Sequence, residues 1–188
     1  MNLLTVAVIG LGYIGLPTSA ALATVGVRVK GVDINETSVK EVNAGRCPIL
    51  EPDLDTAVAG AVARGLLSAS TEVETADAFL LAVPTPFMED HQPDLSYIRA
   101  AVESVARVLK HGDIVILEST SPPGTTRTIS EWLAELRPDL RFPHEHPKAD
   151  VSVAHCPERV LPGRIMIEMV TNDRVVGGLT PDLSLIHI

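Results

Sequence analysis

Three glycines, Gly10, Gly12 and Gly15, separate an apolar run (residues 3–9) from small residues that include Ser19, Ala20, Ala21 and Ala23. A second β-branched run, residues 27–32, ends at Asp33, 18 residues beyond the last glycine. That order reads as strand, glycine turn, helix and second strand. Gly10 makes the tight turn off the strand, and Gly12 lets backbone approach a pyrophosphate with no Cβ in the way. Gly15 lets the helix lie close on the sheet. The helix then aims its unpaired N–H groups and positive dipole end at the phosphates. Asp33 is placed to accept hydrogen bonds from a ribose diol. A carboxylate there repels a 2′-phosphate, and residues 34–37 hold no Arg or Lys, which favours NAD over NADP.

A chain of 188 residues suits one domain of ordinary size. Aromatics are only 3% of it, so the core must be aliphatic and rich in alanine, which suits close helix-on-sheet layers. The net charge of −9 argues against nucleic acid or an anionic membrane as partner. An anionic nucleotide must then be held by local amides and dipoles. Two cysteines, Cys47 and Cys156, are too few for a disulfide framework. Residues 3–9 are too short to span a bilayer and follow no basic region, so a cytoplasmic location is expected.

Further along, strand and helix signals continue to alternate. Asn35 can cap a helix carrying Val39 and Val42, stopped by Gly45. Asp53 can cap the next, with Leu54, Val58, Ala61 and Val62 on one face and Gly65 after it. Residues 66–71 form a short strand candidate, and residues 78–83 read as a central strand buried on both faces. Pro84, Thr85 and Pro86 stop it. Asp94 or Ser96 starts a helix with Ile98, Val102, Val105 and Leu109 on one stripe, and Gly112 follows. Residues 114–117 are the next buried strand. A helix with Ile129, Trp132, Leu133 and Leu136 follows, ended by Pro138. Residues 151–155 alternate as a strand, and residues 174–176 add an edge strand. The expected fold is α/β: a doubly wound, mainly parallel sheet of Rossmann type.

In such sheets ligands lie beyond the carboxyl ends of the strands. Five unusual segments fall there: residues 10–15, Asp33, residues 84–86, residues 119–126 and residues 156–159. Thr85 lies on a turn stiffened by two prolines, where its hydroxyl can contact a cofactor or simply end the strand. The 119–126 loop gathers five hydroxyls around a Pro-Pro-Gly bend. They can cap the next helix, or place Thr120 and Thr126 on a ligand. Glu158 and Arg159 stand side by side after a strand. They suit a proton acceptor or water activator and an anion clamp, or else a surface ion pair. Cys156 and Cys47 read as small buried hydrophobes. His144 and His146 read as solvated loop residues, and with His155 they make no metal site. Glu89, Asp90 and Asp94 read as an exposed acidic loop.

Seven ordered blocks, VIGLGYIGLPT, GVDIN, EPDL, AVPTPF, ILESTSPPGTT, EWLAELRPDL and CPERVLPG with NDRVVGG, resemble the UDP-glucose/GDP-mannose dehydrogenase family, over residues 3 to 182. Within it they are most similar to the branch acting on UDP-N-acetylmannosamine. The resemblance implies oxidation of a sugar C6 alcohol to a carboxylate, through a thiohemiacetal and a thioester, with two NAD reduced. It implies that Tyr13, Ile14, Asp33, Thr85 and Thr126 contact NAD, and that Arg159 and Val160 contact the UDP-sugar. Glu158 matches the acid that assists thioester hydrolysis, and Thr120 helps hold the water. Relatives specific for UDP-glucose carry a second Glu where this chain has Pro162, which disfavours glucose. The resemblance also implies a dimer-forming helix and a C-terminal UDP-binding domain carrying the catalytic Cys and Lys, both beyond this stretch. Full length, a homodimer is implied.

Residues 183–188 have no counterpart in the resemblance, and CTG TCT CTT ATA CAC ATC, a sequencing-adapter string, translates to them. They are expected to be a non-native tail on a truncated gene. A non-catalytic NAD-binding module has no need of residues 156–163. A dehydrogenase of the hydroxyacid or 6-phosphogluconate type accounts for neither that block nor ESTSPPGTT.

Overall fold

Runs with no polar face, such as Phe79-Leu80-Leu81 and Ile114 to Leu117, can be satisfied only between two layers, and they lie at the centre of a seven-stranded sheet. The computed structural model describes residues 4–89 and 91–180. Leu3, Asp90, Asp182 and the 183–188 tail lie outside the described residues.

The first half contains β1 (Thr5–Ile9), α1 (Gly15–Thr24), β2 (Arg28–Val32), α2 (Glu36–Asn43), α3 (Leu54–Ala63) and β3 (Leu67–Ser70). The second contains β4 (Ala78–Leu81), α4 (Ser96–Ala106), β5 (Ile114–Leu117), α5 (Thr125–Leu136), β6 (Ser152–His155), α6 (Ile165–Thr171) and β7 (Gly177–Gly178). Strand order is β3-β2-β1-β4-β5-β6-β7. The first six strands are parallel, and β7 pairs antiparallel with β6 through Ala154–Gly178 and His155–Gly177. The chain runs outward from β1 to β3, then returns to β4 and runs the other way. The switch point therefore lies between β1 and β4.

Two aliphatic cores flank the sheet. Val6 and Val8 join Leu16, Val29, Leu54 and Val58 on the α1–α3 side; Ala7 and Ile9 join Phe79, Ile98, Val105, Ile129 and Leu133 on the α4–α5 side. This alternation along β1 is the two-residue period of a strand buried on both faces. Leu11 also belongs to the first core: a Cβ on Gly31 would sit 2.8 Å from its Cδ2. Truncating a fully buried leucine such as Leu16 would cost about 2–5 kcal/mol.

Asn35 caps α2 as expected, its Oδ1 accepting from the amides of Thr37 and Ser38. Asp94 accepts from the Ser96 amide at the start of α4. Three expectations need correction. Asp53 precedes α3 but has φ +64° and makes no side-chain cap, because its left-handed backbone directs the carboxylate away from the first amides. The edge strand is Gly177–Gly178, not residues 174–176, so Arg174 is released from pairing. Leu136 is 37% exposed at the end of the α5 stripe.

Candidate functional site

The glycine turn joins β1 to α1 beside the end of β4. Gly10 has φ +97°, and a Cβ there would stand 2.6 Å from the Ala82 carbonyl oxygen. A Cβ on Gly15 would stand 1.8 Å from the Gly10 oxygen, so what forbids a side chain is the turn itself as much as the sheet. At Gly12 a Cβ would meet nothing within 4 Å. The space above Gly12 is open, as a diphosphate requires. The amides of residues 12–15 donate to no acceptor among the described residues, whereas Leu16 N already bonds Gly12 O. Unsatisfied amides at the N-terminus of a ten-residue helix form an anion site, so the residues present fit a dinucleotide.

Asp33 closes β2, and its carboxylate accepts the Leu11 amide at 2.8 Å and the Asn35 amide at 2.9 Å. Each oxygen keeps a further lone pair for a ribose hydroxyl. Tyr13 is 53% exposed on the outer side of the turn, and Ile14, the N-cap of α1, is half-buried.

The next two strand ends are stitched together. Thr85 Oγ1 donates to the Thr120 carbonyl at 2.6 Å, so toward a ligand it acts as an acceptor. Ser119 Oγ reaches the Val83 carbonyl at 2.6 Å. Thr125 donates to the Pro122 carbonyl, and Gly124, with φ +96°, is the N-cap of α5. Neither Thr125 nor Thr126 caps that helix. The hydroxyls of Thr120, which is exposed, and Thr126, which is half-buried, have no partner among the described residues and are open to solvent or a ligand.

After β6, Glu158 pairs not with its neighbour Arg159 but with Arg174, whose Nη2 lies 2.6 Å from Glu158 Oε2. Glu158 Oε1 accepts the Arg159 amide at 2.8 Å, and its side chain is 5% exposed. Arg159 is exposed, with no ion-pair partner for its guanidinium among the described residues, and Val160 is half-buried. Glu51, buried between α2 and α3, accepts from the Gly163 amide at 2.8 Å and the Ile165 amide at 2.7 Å, anchoring this loop and the start of α6. Burial pushes the Cys156 and Cys47 thiols up, against the pull of Arg174 on the first and of a backbone hydrogen bond at Ile49 on the second. Both are poor thiolates.

Three residues that shape this edge of the sheet escaped the sequence reading: Glu118, Arg174 and Glu51. Glu118, 2% exposed, takes the Thr18 hydroxyl at 2.9 Å and faces Arg174 at 3.7 Å. Burial raises its pKa to about 7, against the Thr18 hydrogen bond; the Glu158 charge adds to the rise and Arg174 opposes it. The available signal was a carboxylate set directly after a buried apolar strand. His144 also differs from expectation: its side chain is 7% exposed, with Nδ1 2.8 Å from Ser130 Oγ, because the loop folds back on α5. Among the described residues no cluster of three or more His, Cys, Asp and Glu is arranged to hold a metal. No helix there is long and apolar enough to cross a membrane.

A parallel sheet with a glycine turn at its switch point, unpaired amides above it and an acid closing the next strand defines a Rossmann-type dinucleotide-binding domain. Comparison with known proteins narrows that class. The NAD binding domain of the UDP-glucose/GDP-mannose dehydrogenase family matches residues 4–186; the chain belongs to this family, and NAD is its cofactor. It is 58% identical over 181 residues to an NDP-N-acetyl-D-galactosaminuronic acid dehydrogenase of Ralstonia nicotianae, covering 96% of this chain and 43% of the relative. It is 57% identical over 185 residues to the UDP-N-acetyl-D-mannosamine dehydrogenase of Escherichia coli K12, covering 98% and 44%. A UDP-D-ManNAc dehydrogenase structure from Pyrococcus horikoshii superposes with TM-score 0.87 at 38% identity, covering 96% of this chain and 42% of that one. The chain thus spans less than half the length of these relatives.

Proposed function

We propose that this chain is the cofactor-binding part of an enzyme that oxidises the C6 alcohol of a UDP-N-acetylhexosamine to the carboxylate, with UDP-N-acetyl-D-mannosamine as substrate and UDP-N-acetyl-D-mannosaminuronate as product. The observation that carries this reading is the position of Glu158 and Arg159: a buried carboxylate and an exposed guanidinium, without an ion-pair partner among the described residues, on the same sheet edge as the glycine turn. NAD, when bound, would supply the hydride acceptor for each of the two two-electron oxidations at the sugar C6. Residues 12–15 hold the diphosphate, and Asp33 holds the adenosine ribose. Tyr13, Ile14, Thr85 and Thr126 flank the cofactor.

Arg159 and Val160 receive the sugar nucleotide. Glu158 takes the proton of the attacking water, which the Thr120 hydroxyl helps to orient. Neither Cys156 nor Cys47 is the nucleophile; burial keeps both protonated. The reacting thiol, the catalytic lysine, the UDP pocket and the dimer contact belong to the part of the enzyme beyond this domain. The chain alone therefore binds NAD and does not turn over. The enzyme acts in the cytoplasm.

The 58% identity to the Ralstonia enzyme favours a second substrate, an NDP-N-acetylgalactosamine. Two measurements separate these outcomes. Titration calorimetry of the chain with NAD should give saturable heat. The complete enzyme, assayed for NADH with both UDP-N-acetylhexosamines and UDP-glucose, should prefer UDP-N-acetylmannosamine. Equal or better turnover of UDP-glucose overturns the substrate, and NADH production by these 188 residues alone overturns the division of labour.

A further inference from the structure

Glu118 has no task in the chemistry above, yet its carboxyl is 2% exposed, a costly position for an acid. Its Oε1 takes the Thr18 hydroxyl of α1 and faces Arg174 Nη1 at 3.7 Å, while Oε2 has no hydrogen-bond partner. Arg174 Nη2 is at the same time 2.6 Å from Glu158 Oε2, an ion-pair contact without hydrogen-bond geometry. One guanidinium therefore stands between two buried carboxyls, closer to Glu158. The charged and titratable groups that face Glu118 are Glu158 and Cys156 from the loop after β6 and Arg174 from the segment before β7. From α1 it meets the neutral Thr18 hydroxyl.

We propose that Glu118 positions Glu158 through Arg174: while Glu118 carries its proton the guanidinium serves Glu158, and when Glu118 ionises it competes for that guanidinium. A neutral carboxyl exerts little pull on a cation, whereas a buried carboxylate exerts a strong one. Arg174, 35% exposed and in a connector rather than a strand, has room to shift between them. The proposal rests on reading Glu158 as the proton acceptor. It makes Glu118 a positioning residue that links α1, the helix under the dinucleotide, to the loop expected to carry out the hydrolysis. The path runs Thr18, Glu118, Arg174, Glu158.

The test follows side-chain carboxyl carbons and arginine guanidinium nitrogens by NMR while the pH is raised. The expected result is an inflection of the Glu158 resonance near pH 7, coincident with that of Glu118 and with a movement of Arg174. Glu118→Gln keeps the size and abolishes the charge, and should remove the inflection from Glu158 and Arg174. Thr18→Val removes a donor that favours the carboxylate, and should carry all three midpoints upward together. An inflection at Glu158 that survives Glu118→Gln, or that stays in place while Thr18→Val moves Glu118, overturns the coupling. Should Glu118→Gln not fold, the shared shift in Thr18→Val decides. These resonances are read without ligand. A folded chain that fails to bind NAD but shows coincident inflections supports the coupling while refuting the proposed function.

Discussion

The Asp33 carboxylate accepts the Leu11 amide at 2.8 Å, so the acid that closes β2 also fixes the turn that leaves β1. Asp33→Asn turns one acceptor oxygen into a donor and removes the charge offered to the ribose. Hydrogen bonds to charged groups contribute about 1.5–3 kcal/mol, so NAD affinity should fall roughly 10- to 100-fold. Titration calorimetry reads this directly. Unchanged affinity removes Asp33 from the cofactor site.

Gly12 and Gly15 separate binding from folding. Gly12→Ala adds a Cβ that touches no protein atom within 4 Å. Its melting temperature should hardly change, while NAD affinity falls roughly tenfold or more because the methyl meets the diphosphate. Gly15→Ala puts a Cβ 1.8 Å from the Gly10 oxygen. It should lose about 3 kcal/mol of stability or more. Thermal melts and NAD titrations on both variants are sufficient. Two variants with the same phenotype would contradict the separation.

Glu51 holds the Gly163 and Ile165 amides in a buried spot. Glu51→Gln sets an NH2 group against one of them, at about 1–3 kcal/mol. Hydrogen exchange should accelerate at Gly163, Ile165 and their neighbours, with NAD binding retained. Protection at those two amides equal to the parent protein would refute this anchoring.

Glu118 gives the stability curve a definite sign. Its pKa is about 7 in the fold, against an ordinary 4.5, so between these values the folded chain holds a proton that the unfolded chain has released. Its contribution is complete below pH 4.5 and is lost as pH rises through about 7. The slope approaches about 1.4 kcal/mol per pH unit within that window. Glu118→Gln should therefore gain stability relative to the parent as pH rises from about 5 to about 8. Urea melts at both pH values measure it. A difference that is flat or of opposite sign contradicts the buried acid.

What the sequence disclosed and what it hid follow from the range of the forces involved. Gly10, Gly12 and Gly15 were legible because turn sterics act over a few residues, and β4 and β5 because a strand buried on both faces needs apolar side chains throughout. Asn35 was legible as a cap for the same local reason. Glu118 was not, since its hydrogen-bond partner Thr18 lies 100 residues away. Arg174 was concealed by a β-branched run, Val175-Val176, that suggested a strand over residues 174–176, ahead of the actual one. The two-residue strand Gly177–Gly178 has no side-chain pattern to announce it. Of the expected site, the cofactor half rests on local geometry; the Glu158 half depends on a cation that only the folded topology brings into range.

Leu11 is buried in the α1–α3 core, and Gly31, on the strand beside it, has no side chain to compete for that hollow. The turn is thereby seated in the hydrophobic interior from below and tied by Asp33 from the side. Its conformational entropy is surrendered when the domain folds, not when nucleotide arrives. Affinity for the cofactor is then largely inherited from packing, in the choice of nothing at position 31 and a large aliphatic group at position 11.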